Sequence, residues 1–235
     1  MARDRSKRYR KIAEKVEANK GYAADEAVKL IKQAGGTKFD QTVTVAIHLG
    51  IDPKKSEQII RGSVALPHGI GKSKRVVVFA DGDEGAAAKA AGADEVGMAE
   101  MSEKIQKGWT DFDVCIAVQR AMKVVSRLGK VLGPKGLMPT PKNGTLLPDG
   151  KVEEVRVAVK EYKAGRVEYR NDAQGNIHAP IGKVSFSEQA LRENLSAFVD
   201  TIRRLKPATV KGDFILGGSV APAMGPGVRL DMART

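Results

Sequence analysis

The chain has 235 residues, 42% of them hydrophobic, so it can bury one or two real cores and is not a disordered polymer. Lysine and arginine total 40 against 28 acidic residues, a formal net charge of +12, which favours a polyanionic partner, nucleic acid first and an anionic membrane second. No apolar run approaches the ~18 residues of a membrane span, no apolar segment follows the basic Met1–Arg10 as a secretory signal requires, and the single cysteine, Cys115, excludes an internal disulfide and suits a reducing compartment.

Met1–Arg10 reads as a flexible polycationic arm, and Arg8–Val16 is helix-compatible. Ala24–Gln33 predicts a helix with Ala27, Leu30 and Ile31 on one face, stopped by Gly35-Gly36. In Lys38–Leu49, Val43, Val45, Ile47 and Leu49 alternate with Thr42, Thr44, Ala46 and His48, the pattern of a half-buried strand. Ser56–Arg61 allows one helical turn at most, Arg61–Leu66 reads as a strand, and Pro67–Arg75 is a basic loop.

The pattern then changes. Arg75–Ala80 is a continuous apolar run, as a strand covered on both faces requires. A helix over Glu84–Ala91, a short strand at Glu95–Gly97, a helix over Ser102–Gly108 capped by Ser102, a strand at Asp113–Val118 and a helix over Ala121–Lys130 follow in alternation. That order argues for a parallel, doubly wound sheet. Trp109 and Cys115 read as core. Gly129–Gly144 packs four glycines, three prolines and three lysines into one stretch, which forms a shaped cationic loop and no regular helix or central strand. A helix over Lys151–Ala164 closes this part.

Beyond it, Arg166–Arg170 and Asn176–Val184 alternate around the turn Asp172–Gly175 and predict a hairpin. Ser185–Glu188 fits a capping box, and Leu191, Leu195, Phe198, Ile202 and Leu205 form the apolar stripe of a helix ended by Pro207. Lys211–Leu216 and Ser219–Leu230 read as strands. The strand at 42–49 lacks partners in its own third of the chain, and the C-terminal strands can supply them. The expected architecture is a discontinuous α+β domain, an antiparallel sheet with helices, built from residues 1–70 and 160–235. A Rossmann-like, three-layer α/β domain is inserted over 71–159. Two chain crossings, near 67–75 and 151–165, make a double hinge.

Catalytic chemistry finds little support. Gly71-Lys72-Ser73 would need a glycine where Leu66 stands, and a helix where a strand follows, to be a phosphate loop. His48, His68 and His178 are isolated in sequence, and neither metal-ligand spacing nor a nucleophile–base set can be assembled, so no cofactor and no metal are expected. An α/β enzyme with a basic substrate groove survives only as an alternative. Nucleic-acid binding has more behind it. Lys38, Phe39 and Thr42 open the early strand, Arg166, Arg170, His178 and Lys183 line the expected hairpin, and Met224, Gly225 and Arg229 lie near the last strand. If the two ends pair, these residues can share one surface where each cation neutralises a phosphate. Phe39 reads equally as core or as a contact to ribose or base, and Met224 reads slightly more as core than as such a contact. Aromatic residues are 5% of the chain, so shape reading of a folded RNA fits better than a stacking platform.

Leu132-Gly-Pro-Lys-Gly-Leu-Met-Pro139, with Pro141-Lys142, resembles the signature of a known family: the bacterial large-subunit ribosomal proteins numbered one, the proteins of the mobile side stalk. Lys38–Thr42, Arg61–His68, Arg170–Asp172, Ile177–Pro180 and Ala223–Pro226 support the resemblance, which covers nearly the whole chain. It implies two hinged domains, the first built from both termini, in a cytoplasmic protein that is a monomer when free and is no enzyme. It implies binding to large-subunit ribosomal RNA, a stalk beside the exit-site tRNA that assists release of deacylated tRNA, and repression of translation through the protein's own operon mRNA. The positions that match the family's RNA contacts are Lys38, Phe39, Thr42, Lys183, Met224 and Gly225, with His178 and Arg170 beside them. One departure stands out: Ala223 occupies a place where relatives often carry threonine, so a hydroxyl contact is lost.

Overall fold

The computed structural model describes residues 5–17, 20–34 and 36–232. In chain order it forms α1 (Lys7–Ala13), α2 (Ala24–Gln33), β1 (Thr42–Leu49), β2 (Arg61–Val64), β3 (Val76–Phe79), α3 (Gly82–Ala90), β4 (Glu95–Gly97), α4 (Ala99–Gln106) and β5 (Val114–Val118). Two short helical pieces follow, α5 (Met122–Val125) and α6 (Gly129–Leu132), then β6 (Leu146–Leu147), α7 (Val152–Ala164), β7 (Val167–Arg170), β8 (Asn176–Lys183), α8 (Glu188–Arg204), β9 (Ile215–Pro222) and β10 (Val228–Leu230). The chain divides into two compact units, one formed up to Gly71 together with everything from Val167 onward, the other formed by Lys72–Arg166.

The first unit rests on a four-stranded antiparallel sheet in the order β10-β9-β1-β8. β1 fills its two edges with strands that lie far down the chain, pairing Ile47 with Ile177 on one side and with Gly218 on the other. Its alternation is real: Val43, Val45, Ile47 and Leu49 are buried while Thr44 and His48 stay exposed. The buried side meets α2 through Ala27, Val28 and Ile31, and α8 through Leu191, Leu195, Phe198 and Ile202. Each large aliphatic or aromatic side chain so enclosed contributes about 1.5–3 kcal/mol.

Several local expectations change. The arm expected over Met1–Arg10 is helical from Lys7, with Ser6 accepting a hydrogen bond from the Tyr9 N–H (3.3 Å); its first residues, 1–4, and Gly35 lie outside the described residues. The hairpin after Arg166 does not form as one ladder. β7 turns to β2 and pairs Arg170 with Arg61 in a separate two-stranded sheet, while β8 joins β1, and only an Asn171–Ile177 bridge links the two after the turn. Asn171 explains the parting: its side-chain oxygen accepts the Ile60 N–H (2.8 Å), which holds this corner to the β2 side. The cap of α8 is Ser187, accepting from the Ala190 N–H (3.1 Å), and no reciprocal glutamate completes a capping box. The C-terminal break also moves: β9 continues through Gly217-Gly218 to Pro222, with Leu216 an extra residue in its pairing to β1, and the turn lies at 223–227.

The second unit carries a parallel sheet in the order β4-β3-β5-β6. Every residue of β3 and β5 is buried, as their unbroken apolar runs require. α4 begins at Ala99, so Ser102 is a buried helix residue and not its cap. The helix expected over Ala121–Lys130 is a succession of short α and 3-10 turns running to Leu132. β6 is only two residues long, too short for periodicity to reveal. This unit extends to Arg166, past the expected limit at 159, because α7 is one continuous helix whose Val155, Ala158, Val159 and Tyr162 all pack in this core. Arg166 pairs with Glu161 and stays here. The Tyr162 hydroxyl donates to the Asn143 carbonyl (2.7 Å) and pins the end of the Gly-Pro-Lys loop. Cys115 is buried and its thiol is pushed up to about 12 by that burial, so it is inert at neutral pH.

One buried polar residue anchors the loop before the first crossing. Asn194 is fully buried; its amide donates to the carbonyls of Gly69 (2.9 Å) and Ile181 (2.8 Å), and its oxygen accepts the His68 N–H (3.1 Å). Asn194→Ala leaves all three groups unsatisfied and is expected to destabilise the protein by about 3 kcal/mol in denaturant unfolding. A loss under half that would mean the loop finds other partners. A chain in which 72–166 is replaced by a short glycine–serine linker is expected to remain soluble and unfold cooperatively; aggregation with every linker tried would contradict a self-sufficient first unit.

Candidate nucleic-acid interface

The face of the four-stranded sheet opposite α2 and α8 is formed by the residues of β1 that its alternation turns outward. The register places Arg229, Ser219, Ala46 and His178 in one line across all four strands. Thr44 lies between Ala221 and Pro180, and His48 between Gly217 and Asn176. Around Thr44 and Ala46 the middle of this face therefore carries small side chains, its margins carry the cations Arg229 and Lys183, and His178 stands on the edge strand β8 between Lys183 and Asn176. Such a floor admits a bulky backbone closely while the cations stand at its edges.

Lys183 reaches this face through a fault in the ladder. Thr44 pairs with Pro180 but Val43 pairs with Gly182, so Ile181 is an extra residue and β8 bulges. Beyond the bulge Lys183 stands opposite Thr42, and its ammonium donates to the Thr42 hydroxyl (2.9 Å). Without the extra residue Gly182 would take that place. Gly182 sits at φ 152°, and a Cβ there would lie 2.9 Å from Leu191 and 3.0 Å from Phe186. Glycine is the residue this geometry accepts.

Met224 is the second built feature. Its N–H donates to the side-chain oxygen of buried Gln41 (2.9 Å), and its carbonyl accepts from Arg8 (2.6 Å). Both peptide groups of one exposed residue are thus held by side chains from distant parts of the chain. The Ala223 N–H donates to the Thr42 carbonyl (3.0 Å), so this turn is tied to β1 through backbone, whatever the side chain at 223. Gly225 packs so tightly that a Cβ would lie 2.5 Å from the Pro222 ring.

Phe39 and Met224 are each 54% exposed, which removes both from the core. Lys38 and Phe39 border a shallow hollow of about 380 Å³ that also includes Gln41 and Ser185. Asp40 beside them is occupied by Ser185, accepting from its N–H (3.2 Å) and hydroxyl (2.7 Å). Lys38, Phe39, Thr42, Lys183, Met224 and Gly225 therefore surround one end of the sheet. His178 stands farther along the same face, with the Asp172 carboxylate 3.9 Å from its ring. Asp172 is held below its ordinary value of 3.8, chiefly by the Asn176 N–H, and brings negative charge to that end. Arg170 is off this face, exposed on β7 of the other sheet. Arg8 and Gln41 were not legible as site residues, since they act through the backbone of Met224 and no spacing in the sequence announces them.

Among the described residues no group of three or more histidine, cysteine or acidic side chains could hold a metal ion, and no helix is long and apolar enough to cross a membrane. Fold and face together define a class: a chain of two α/β units, one closed from both ends, whose sheet carries a face with cations at its margins. Comparison with known sequences places it more closely. The chain belongs to the ribosomal protein L1p/L10e family, whose profile matches residues 29–226. It is 51% identical over 227 residues, 97% of this chain and 96% of the relative, to the large ribosomal subunit protein uL1 of Kosmotoga olearia. It is thus a ribosomal protein and not an enzyme.

Gly182→Ala tests the bulge. It is expected to cost about 1–3 kcal/mol of stability, because alanine disfavours this φ and meets Leu191 and Phe186. The Lys183–Thr42 contact should loosen with it, which NMR of the Lys183 side chain would read. An unchanged stability and an unchanged Lys183 environment would show the bulge to be unnecessary.

Proposed function

We propose that this chain is a structural protein of the large ribosomal subunit that grips a folded region of large-subunit ribosomal RNA with the outer face of its four-stranded sheet. The observation that carries the reading is the 51% identity, across 97% of the chain, to a protein named for that subunit. The sheet face supports it, with Lys38 and Lys183 to neutralise phosphates, Phe39 and Met224 to pack on ribose or base, Thr42 to orient Lys183, and Gly225 to let the turn that presents Met224 pack against Pro222. His178 extends the contact along the face, and Arg170 reaches RNA only from the neighbouring sheet.

In this reading the protein and its RNA form the mobile side stalk beside the exit-site tRNA and assist release of deacylated tRNA. The two chain crossings at the limits of the second unit are the hinge that lets the stalk move. The same face binds a similar fold in the protein's own operon mRNA and represses translation when ribosomal sites are filled. Filter binding with both RNA fragments tests this. Tighter binding to the ribosomal fragment is expected, with mutual competition; binding of the two RNAs without competition would separate the sites.

Met224→Asp is expected to weaken binding of the ribosomal fragment by ~2 kcal/mol or more with the fold intact, because it sets a carboxylate against phosphate. Unchanged affinity removes Met224 from the interface. Affinity should fall by roughly one log unit per log unit of salt for each phosphate contacted. A flat salt profile would contradict the electrostatic part.

A further inference from the structure

The second unit segregates its charge. From Val114 to Pro148 it carries six cations and no acid, while the rest of Lys72–Arg166 carries eleven cations and thirteen acids. All of this unit's positive excess therefore lies on one stretch, the helical turns after β5 and the Gly-Pro-Lys loop. Within the turns, Lys123, Arg127 and Lys130 stand at i, i+4 and i+7 and are exposed, while Ala121, Val125, Leu128 and Leu132 are buried beneath them. The spacing makes the three cations a single stripe, with steps of about 5–6 Å along the axis. Arg120 is taken up by Asp81 and buried Glu84. Lys123, Arg127, Lys130 and Lys142 have no acidic partner within 4.0 Å among the described residues.

We propose that this stripe, with Lys135 and Lys142 of the adjoining loop, is a second RNA-binding surface that holds the phosphate backbone of an RNA segment other than the one on the sheet face. The composition of the stretch decides between partners. An acidic protein would need exposed aromatic or apolar anchors, and none of the exposed large hydrophobic residues lies between 114 and 148. Residues 119–148 contain no Phe, Tyr or Trp, so bases have nothing to stack on and sequence cannot be read that way. What is left is cations along a run of short helical turns packed on the core and an exposed glycine-rich turn, with Gly136 at φ 72°, that a phosphate can approach closely. This surface adds to the RNA-binding reading above and is carried by the other unit.

The test uses the full chain carrying Lys123→Gln, Arg127→Gln and Lys130→Gln together, against a short blunt RNA duplex of arbitrary sequence. The control carries Lys89→Gln, Lys107→Gln and Lys160→Gln, the same change in net charge on exposed residues elsewhere in the unit. The stripe variant is expected to bind the duplex roughly tenfold more weakly, with its log–log salt slope shallower by about two, and the control to change little. Thermal unfolding of both variants checks the fold, and Lys123→Arg with Lys130→Arg should retain binding. Equal losses in the two variants, or no loss in the stripe variant, would overturn the proposal. Loss of ribosomal-fragment binding in Met224→Asp reports on the sheet face alone, so the two readings fail separately.

Discussion

Everything in the first unit depends on β1 having both of its edges filled from beyond position 175. The strand's own buried face, Val43, Val45, Ile47 and Leu49, closes only when β8 and β9 lie beside it. The nearer strand β2 takes no part, being paired to β7 in a sheet of its own. The head of the chain therefore cannot complete its core before the tail is available. The intervening unit has to leave and return at neighbouring points, at Gly71–Lys72 and Arg166–Val167, and it can do so because its parallel sheet satisfies its own strands.

The same pairing creates the surface. Because strand side chains alternate, burying one set of β1 residues commits Thr42, Thr44, Ala46 and His48 to the other side. On the β9 side the partners opposite them are small, Ala221, Ser219 and Gly217, and on the β8 side Lys183 stands opposite Thr42. Two local devices refine this. A bulge at Ile181–Gly182 turns Lys183 toward Thr42, and two distant side chains, Arg8 and Gln41, fix both peptide groups of Met224. The exposed residues are thus held by buried or bonded ones, so the face is shaped by the fold itself.

Much of this was legible in the sequence. The alternation in β1, the unbroken runs of β3 and β5, the stripe of α8 and the need for C-terminal partners were all readable, because each follows from burial with a fixed period. What escaped depends on contacts across the chain. The turn at Asp172–Gly175 looked like a hairpin, yet Asn171 holds β7 to β2 and sends β8 elsewhere. The Gly217-Gly218 pair looked like a break, yet β1 pairs with both glycines and β10 with Gly218. At the interface the exposed cations and the glycine were visible by type, while the bulge and the Met224 clamp arise from register and from residues remote in sequence. Phe39 and Met224 could not be assigned to core or surface by composition alone, and only their exposure decides it.

The central claim is that the sheet closed by the two ends of the chain is the face that meets ribosomal RNA. Lysine-reactivity footprinting of the full-length protein, free and bound to the large-subunit stalk fragment, tests it most directly. Lys38 and Lys183 should lose reactivity on binding while Lys206 and Lys211, on the far connection after α8, keep theirs. Saturating RNA that left Lys38 and Lys183 as reactive as in the free protein would contradict the account.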